Sequence, residues 1–202
     1  MQNTLKHIVK KYSLDLSLPN PVGIPKTRED LGRLFNELGF KVGAEIGTDR
    51  GLYAKTLCET NPGVKLFCID PWKVYRKYAD FKDQHILNVN YNNTKKRLAP
   101  YNCEIIKASS MGAISQFEDN SLDFVYIDGN HAYDYVLEDC REWSKKVRHG
   151  GIVSGHDYTT RKHVNVGLDV KKAIDQFIQE NNIRPFFQYT EKGSSTWMYV
   201  NP

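Results

Sequence analysis

The chain of 202 residues carries 28 Lys and Arg against 24 Asp and Glu, a net charge of +4 with pI ≈ 8.7, and 40% of its residues are hydrophobic. This length suits one domain with a sizeable core, and 26% charged residues is ordinary for a soluble globular protein. No stretch approaches the ~20 apolar residues of a membrane span, and "MQNTLKHIVKKYSLDL" has no apolar core of signal-peptide length, so a cytoplasmic protein without membrane contact is expected.

Residues 1–25 mix Lys and Leu with Pro19, Pro21 and Pro25, reading as a short helix followed by an irregular arm. "TREDLGRLFNELG" is a capped helix: Thr27 can cap it, Glu29 and Asp30 occupy its first turn, and Leu31, Leu34, Phe35 and Leu38 recur at helical spacing before Gly39. "KVGAEIG" reads as a buried strand, "LYAKTLCET" as a helix and "VKLFCID" as a second strand ending in Asp70. Residues 71–100 are polar and aromatic, with "NVNYNNTKKRLAPY" a helix that ends before Pro100. "CEIIKAS", "LDFVYIDG" and "GIVSGHD" are three further strands. The helix "YDYVLEDCREWSKKV" precedes the last of these, and "VGLDVKKAIDQFIQEN" follows it. "RPFFQYT" and "STWMYV", joined by "EKGS", form a terminal hairpin.

This alternation predicts an α/β fold: a Rossmann-like three-layer sandwich around a mostly parallel seven-stranded sheet with an antiparallel C-terminal strand. Residues 1–202 read as a single domain, with 1–26 as an N-terminal arm and 73–95 as a lid insert. Cys58, Cys68, Cys103 and Cys140 show no CxxC pairing and lie in apolar segments, so they read as reduced core thiols.

In such a sheet, ligands bind at the carboxyl ends of the strands. All five of those ends are polar or glycine-bearing: Glu45 to Gly51, Asp70 to Trp72, Ser109 and Ser110, Asp128 to His131, and Ser154 to Tyr158. "AEIGTDRG" is acid-x-Gly-x-x-x-Gly and lacks the G-x-G-x-x-G of a dinucleotide turn. Glu45 would repel a pyrophosphate but suits an ammonium or sulfonium, and Asp70 can grip two ribose hydroxyls. A ligand with a cationic amino acid, a ribose and no phosphate, S-adenosylmethionine, satisfies both. The alternative is a plain helix-start turn with solvent-facing acids.

Over about residues 27–200 the chain resembles the Rossmann-like S-adenosylmethionine-dependent methyltransferases, in particular their small-molecule O-methyltransferase branch. "AEIGTDRG", "FCIDPW", "FVYIDGNHAYD" and "GGIVSGHDY" carry the resemblance. It implies that Glu45 fixes the methionine end with Gly47 and Thr48 nearby, and that Gly51 lets the helix pack close. Asp70 would bind the ribose, Pro71 and Trp72 would flank the adenine, Ser109 and Ser110 would contact its edge, and Asp128 would lie beside the reacting methyl.

The chemistry is expected past Asp128. In catechol-type relatives a lysine at the position of His131 is the general base, and an imidazole is a reasonable replacement at neutral pH. Metal-dependent relatives place acids and an amide at the fourth and fifth strand ends, where this chain has Asp128 and the pair His156–Asp157. Three readings stay open: a divalent metal on Asp128 and Asp157 with or without His156, a metal-free His156–Asp157 dyad, and plain pocket lining.

His7, His85, His149 and His163, and the basic runs Lys95–Arg97 and Arg161–His163, read as surface. Trp72, Tyr75, Tyr78, Phe81 and Tyr91 read as lid packing or an acceptor face. The leading expectation is methyl transfer to a hydroxyl, less readily an amine, of a small-molecule acceptor. RNA methylation, non-catalytic nucleoside binding and nicotinamide-dependent redox chemistry are the alternatives. The mild, dispersed charge makes nucleic acid an unlikely partner.

Overall fold

The computed structural model describes residues 3–75, 83–159, 165–190 and 195–202. An eight-stranded sheet carries helices on both faces. The chain opens with α1 (Asn3–Tyr12), β1 (Val22–Ile24) and α2 (Arg28–Glu37), at whose start the Asp30 carboxylate accepts the Thr27 backbone N–H at 3.1 Å, the reciprocal half of a capping box. It continues through β2 (Val42–Ile46), α3 (Leu52–Thr60), β3 (Lys65–Asp70), α4 (Gln84–Leu98) and β4 (Cys103–Lys107). A short α5 (Ser110–Ala113), β5 (Leu122–Ile127), α6 (Tyr133–Lys146) and β6 (Val147–Gly155) follow, then α7 (Asn165–Glu180), β7 (Phe186–Tyr189) and β8 (Trp197–Val200).

The strand order is β1-β7-β8-β6-β5-β2-β3-β4, with β8 antiparallel to both β6 and β7 and every other pair parallel. The Rossmann-like expectation is borne out, but the sheet has eight strands among the described residues rather than seven. The extra one is β1, inside the arm read as irregular. Val22 and Ile24 are buried while Gly23 between them is exposed, and the strand pairs with β7 at the sheet edge. Three residues bounded by prolines carry too little alternation to announce a strand, and an edge is where such a strand is tolerated.

Cross-strand register sorts the interior. Ala44 and Ile46 face α5, α6 and α7, whereas Leu66, Cys68, Phe124 and Tyr126 face α1, α2 and α3. On that second face Phe124 stacks on Phe35 with ring centroids 4.1 Å apart. Helix α4 starts earlier than its sequence pattern suggests, because the Asp83 carboxylate accepts the His85 N–H at 2.8 Å and caps it. Residues 84–95 of the expected lid are therefore in helix, with Leu87, Asn90 and Thr94 buried. Tyr78, Phe81, Arg161–His163 and the hairpin turn at 191–194 lie outside the described residues.

Phe124 is fully buried at the centre of the aromatic stack. Phe124→Ala is expected to lower unfolding free energy by about 3–5 kcal/mol in urea denaturation, while Leu18→Ala, at a site 55% exposed, changes it by less than about 0.5 kcal/mol.

Candidate active site

Chain order departs from β2 in two directions, to β3 and β4 on one side and to β5 and β6 on the other. That reversal leaves a crevice outside the carboxyl ends of β2 and β5. A cavity of about 590 Å³ occupies it, lined by Ile46, Gly47, Asp49, Arg50, Ile69, Asp70, Pro71, Tyr75, Ser109, Ser110, Met111, Asp128 to His131, Tyr135, Glu138 and Asp139.

The loop after β2 forms its floor. The Gly47 N–H donates to the Ile69 carbonyl at 2.8 Å, and the Asp128 N–H donates to Ile46 at the same distance. Gly47 has φ +89°, and a Cβ there would stand 2.0 Å from the Asp128 carbonyl oxygen. Glycine is thus required because two strand ends cross, before any ligand is considered. Gly51 begins α3 at φ +67°, with Thr94 of α4 packed 2.9 Å from where its Cβ would lie, so the close helix packing expected of it is present.

Asp49 holds the loop in place. Its N–H donates to Asp70 Oδ2 at 2.9 Å, and its carbonyl accepts from Trp72 Nε1 at 2.8 Å and Thr94 Oγ1 at 2.7 Å. Its carboxylate takes the Asn90 amide at 2.6 Å on one oxygen and pairs with Arg50 Nε at 3.1 Å on the other. Asp70 also accepts the Trp72 N–H at 2.7 Å. Burial pushes its carboxyl up to about 6 against those two hydrogen bonds, which favour the charged form.

Three residues expected at the cofactor, Glu45, Thr48 and Trp72, do not line the cavity. Glu45 pairs in register with Cys68 and Tyr126 and so faces α2 and α3, behind the sheet from the cavity. Burial holds its carboxyl well above the ordinary range. Thr48 is the neighbour that counteracts the shift, although its buried hydroxyl stops short of a hydrogen bond. Trp72 has φ +39° and is 1% exposed. Its indole is turned under the loop onto the Asp49 carbonyl and lies 4.9 Å from the Tyr91 ring, so it does not reach the cavity as an adenine-flanking wall would. Pro71 does line it.

At the opposite wall Ser109 caps α5, accepting the Gly112 N–H at 3.1 Å. The Ser110 hydroxyl donates to Asp139 and accepts from Trp143 Nε1 at 2.7 Å. Burial pushes Asp139 up to about 7, opposed by the Ser110 hydrogen bond and aided by Glu138.

Three side chains converge at the ends of β5 and β6. His131 Nε2 lies 3.1 Å from Asp157 Oδ2 and 3.6 Å from Asp128 Oδ1. Potential ligand atoms of Asp128, His131 and Asp157 all lie within 4.8 Å of one another. Asp157 has φ +59° and meets His131 without itself lining the cavity. His156 Nδ1 contacts Asp157 Oδ1 at 3.4 Å but does not line the cavity. Burial alone would lower its basicity; the Asp157 hydrogen bond and the Asp128 and Asp157 charges outweigh that and raise it. The third member of the carboxylate cluster is therefore His131, in place of the His156 considered from sequence. Ser154, also at this strand end, gives its hydroxyl to the Val125 carbonyl at 2.7 Å.

Met111, Tyr135, Glu138 and Asp139 line the cavity without having been singled out from sequence; Asp49, Arg50 and Asn130 fall within strand-end segments named there, and Tyr75 was read as lid packing or an acceptor face. The Tyr75 hydroxyl meets the Asn130 amide at 3.2 Å, and the Tyr75 and Tyr135 rings stand 6.2 Å apart. Tyr135, Glu138 and Asp139 were readable as one face of α6 by their 3- and 4-residue spacing. Tyr75 carried no periodic signal.

Comparison with known proteins converges on the same region. The profile of the methyltransferase-domain family matches residues 44–158, more than half of the chain. An uncharacterized protein, y4gI of Sinorhizobium fredii, is 25% identical over 125 residues, which is 59% of this chain and 13% of that one. The chain thus spans about an eighth of the length of that curated relative. Among solved structures, the O-methyltransferase TomG from Streptomyces achromogenes, in complex with S-adenosylmethionine and involved in tomaymycin synthesis, superposes with TM-score 0.62 at 15% identity. The match covers 100% of this chain and 91% of that one. An O-methyltransferase from Bacillus cereus in complex with S-adenosylhomocysteine gives TM-score 0.62 at 13% identity over 99% and 91%. At these identities the likeness is one of fold.

The crossing at Gly47 is open to direct test. Gly47→Ala is expected to cost at least about 3 kcal/mol in urea denaturation, because strain and overlap with the Asp128 carbonyl combine. Gly39→Ala, at φ +71° with nothing within 4 Å, is expected to cost only about 1–2 kcal/mol.

Proposed function

Because the chain belongs to the methyltransferase-domain family, we propose that it transfers the methyl group of S-adenosylmethionine to a hydroxyl of a small molecule. One observation carries this reading: the buried Asp70 carboxylate, Asp128 and His131 line one cavity at strand ends, with Asp157 3.1 Å from His131 and the Gly47 loop as the floor.

The residues present fit the cofactor. A cavity of about 590 Å³ has the size of a small-molecule site. Asp70 spends one lone pair of each oxygen on backbone N–H groups and keeps the others for two ribose hydroxyls. Ser109, Ser110 and Met111 form the far wall, where the adenine ring would lie, and Asp128 borders the methionine end. Glu45 and Thr48 support the loop from behind. S-adenosylmethionine, when bound, supplies a methyl carbon already activated by its sulfonium.

The protein's remaining tasks are alignment and proton removal. His131 takes the proton of the acceptor hydroxyl, and the carboxylates 3.1 and 3.6 Å from its Nε2 stabilise the imidazolium that results. His156 acts behind this pair by orienting Asp157. The same Asp128, His131 and Asp157 would hold a divalent cation; two carboxylates with an imidazole suit manganese, zinc or iron better than magnesium. Tyr75 and Tyr135 flank the mouth and favour an uncharged acceptor with a planar or sugar-like face. The acidic lining accords better with such an acceptor than with a polyanionic RNA.

Calorimetric titration with S-adenosylhomocysteine tests the cofactor assignment: micromolar binding is expected, and Asp70→Ala should weaken it at least tenfold. NADH binding in its place would overturn it. Asp70 must be ionised to accept both hydroxyls. Since its carboxyl titrates near 6, affinity should be level above about pH 7 and fall as pH drops through 6, approaching tenfold per unit. His131→Ala is expected to lower transfer from methyl-labelled cofactor across an acceptor panel by about 100-fold or more while cofactor affinity holds. An equal loss of affinity would assign His131 to binding instead.

A further inference from the structure

Three of the four cysteines lie together on the sheet face opposite the cavity. Leu66 and Cys103 are register partners on β3 and β4, so Cys68, two residues beyond Leu66, shares their face. Cys58, in the second half of α3, packs down onto that face. Its Sγ lies 3.4 Å from Cys103 Sγ, across 45 residues of chain. Helix α3 runs antiparallel to the strands, so the pair sits at their amino ends, remote from the cavity. Cys58 and Cys68 are buried, whereas Cys103 is only partly so and is reachable from solvent.

We propose that Cys58 and Cys103 form a reversible dithiol–disulfide couple, a modification site for low-molecular-weight disulfides such as oxidised glutathione. Closing it requires the sulfurs to move from 3.4 Å to about 2.05 Å, a side-chain adjustment within the packed fold. Cys103 is the attacking group, since it is the accessible one. The neighbouring Cys58 and Cys68 thiols hold its thiol below the ordinary range, whereas the same contact and burial push Cys58 up. The Cys103 thiolate attacks one sulfur of the oxidant, the oxidant's S–S bond breaks, and one small thiol leaves. The Cys58 sulfur, releasing its proton, then attacks the Cys103 sulfur of the mixed disulfide and expels the second small thiol. Two electrons pass from the cysteine pair to the oxidant, which departs as two thiols. Cys140, fully buried against the other sheet face, takes no part.

The test is incubation of the full chain with oxidised glutathione, followed by alkylation and peptide mapping by mass spectrometry. Free thiols are expected to fall from four to two, with one Cys58–Cys103 cross-link that dithiothreitol reverses. Cys58→Ala should instead stop at a stable glutathione adduct on Cys103, and Cys103→Ala should give neither product. Far-ultraviolet circular dichroism establishes that both variants are folded. The cross-linked protein should melt at least about 3 °C above the reduced one, because the unfolded chain is constrained. Four alkylated thiols after oxidation, a cross-link to Cys68 in place of Cys58, or a lowered melting point would overturn the proposal.

Discussion

The passage of the β2 loop over the Asp128 carbonyl is the contact on which the site depends. At that crossing two central strands end side by side, and a side chain on Gly47 would drive them apart. With the loop seated, its amides reach β3: Gly47 and Thr48 donate to Ile69, and Asp49 donates to Asp70. One close backbone approach therefore fixes the spacing between Asp70 and the cluster at the β5 end, groups that belong to strands on opposite sides of β2. The glycine pair answers first to the packing of the fold, and the space it leaves above is what a ligand inherits.

A second constraint is the burial of carboxyl groups around this crossing. Asp70 and Asp139 are almost inaccessible and titrate near 6 and 7, while Glu45 is held still higher behind the sheet. Each has polar company that moderates the shift: two backbone N–H groups for Asp70, Ser110 for Asp139, and Thr48 for Glu45. Such groups weaken a fold unless their neighbours are fixed. Here the neighbours are a loop anchored at both ends and the first turn of a helix, which is rigid support for a binding site.

Much of this was legible from residue order. Alternating strand and helix patterns located the sheet, and the polar residues directly after each apolar run located the crevice. The misses have particular causes. β1 is too short for alternation to register. Glu45 and Trp72 were read from their place at a strand end, yet the direction a side chain takes there is set by register and by backbone angle: pairing with Tyr126 turns Glu45 to the far face, and φ +39° turns Trp72 under the loop. His131 and His156 were equivalent as letters. Asp157, at φ +59°, meets His131 at 3.1 Å, and no sequence pattern announces a left-handed aspartate.

The charge pattern of the cavity bears on the order of the proposed reaction. Asp49, Asp70, Asp128, Glu138 and Asp139 line it, against Arg50 and His131, and Arg50 is already paired with Asp49. The wall is therefore acidic even after burial has part-neutralised Asp70 and Asp139. An acidic wall favours a cationic sulfonium over the neutral thioether left after transfer, because the attraction is lost together with the charge. In the proposed step the acceptor's proton would pass to His131, whose imidazolium would lie beside Asp128 and Asp157. Positive charge would thereby be conserved within the cavity through the proposed step, with the acids that favour the cofactor also stabilising the protonated base.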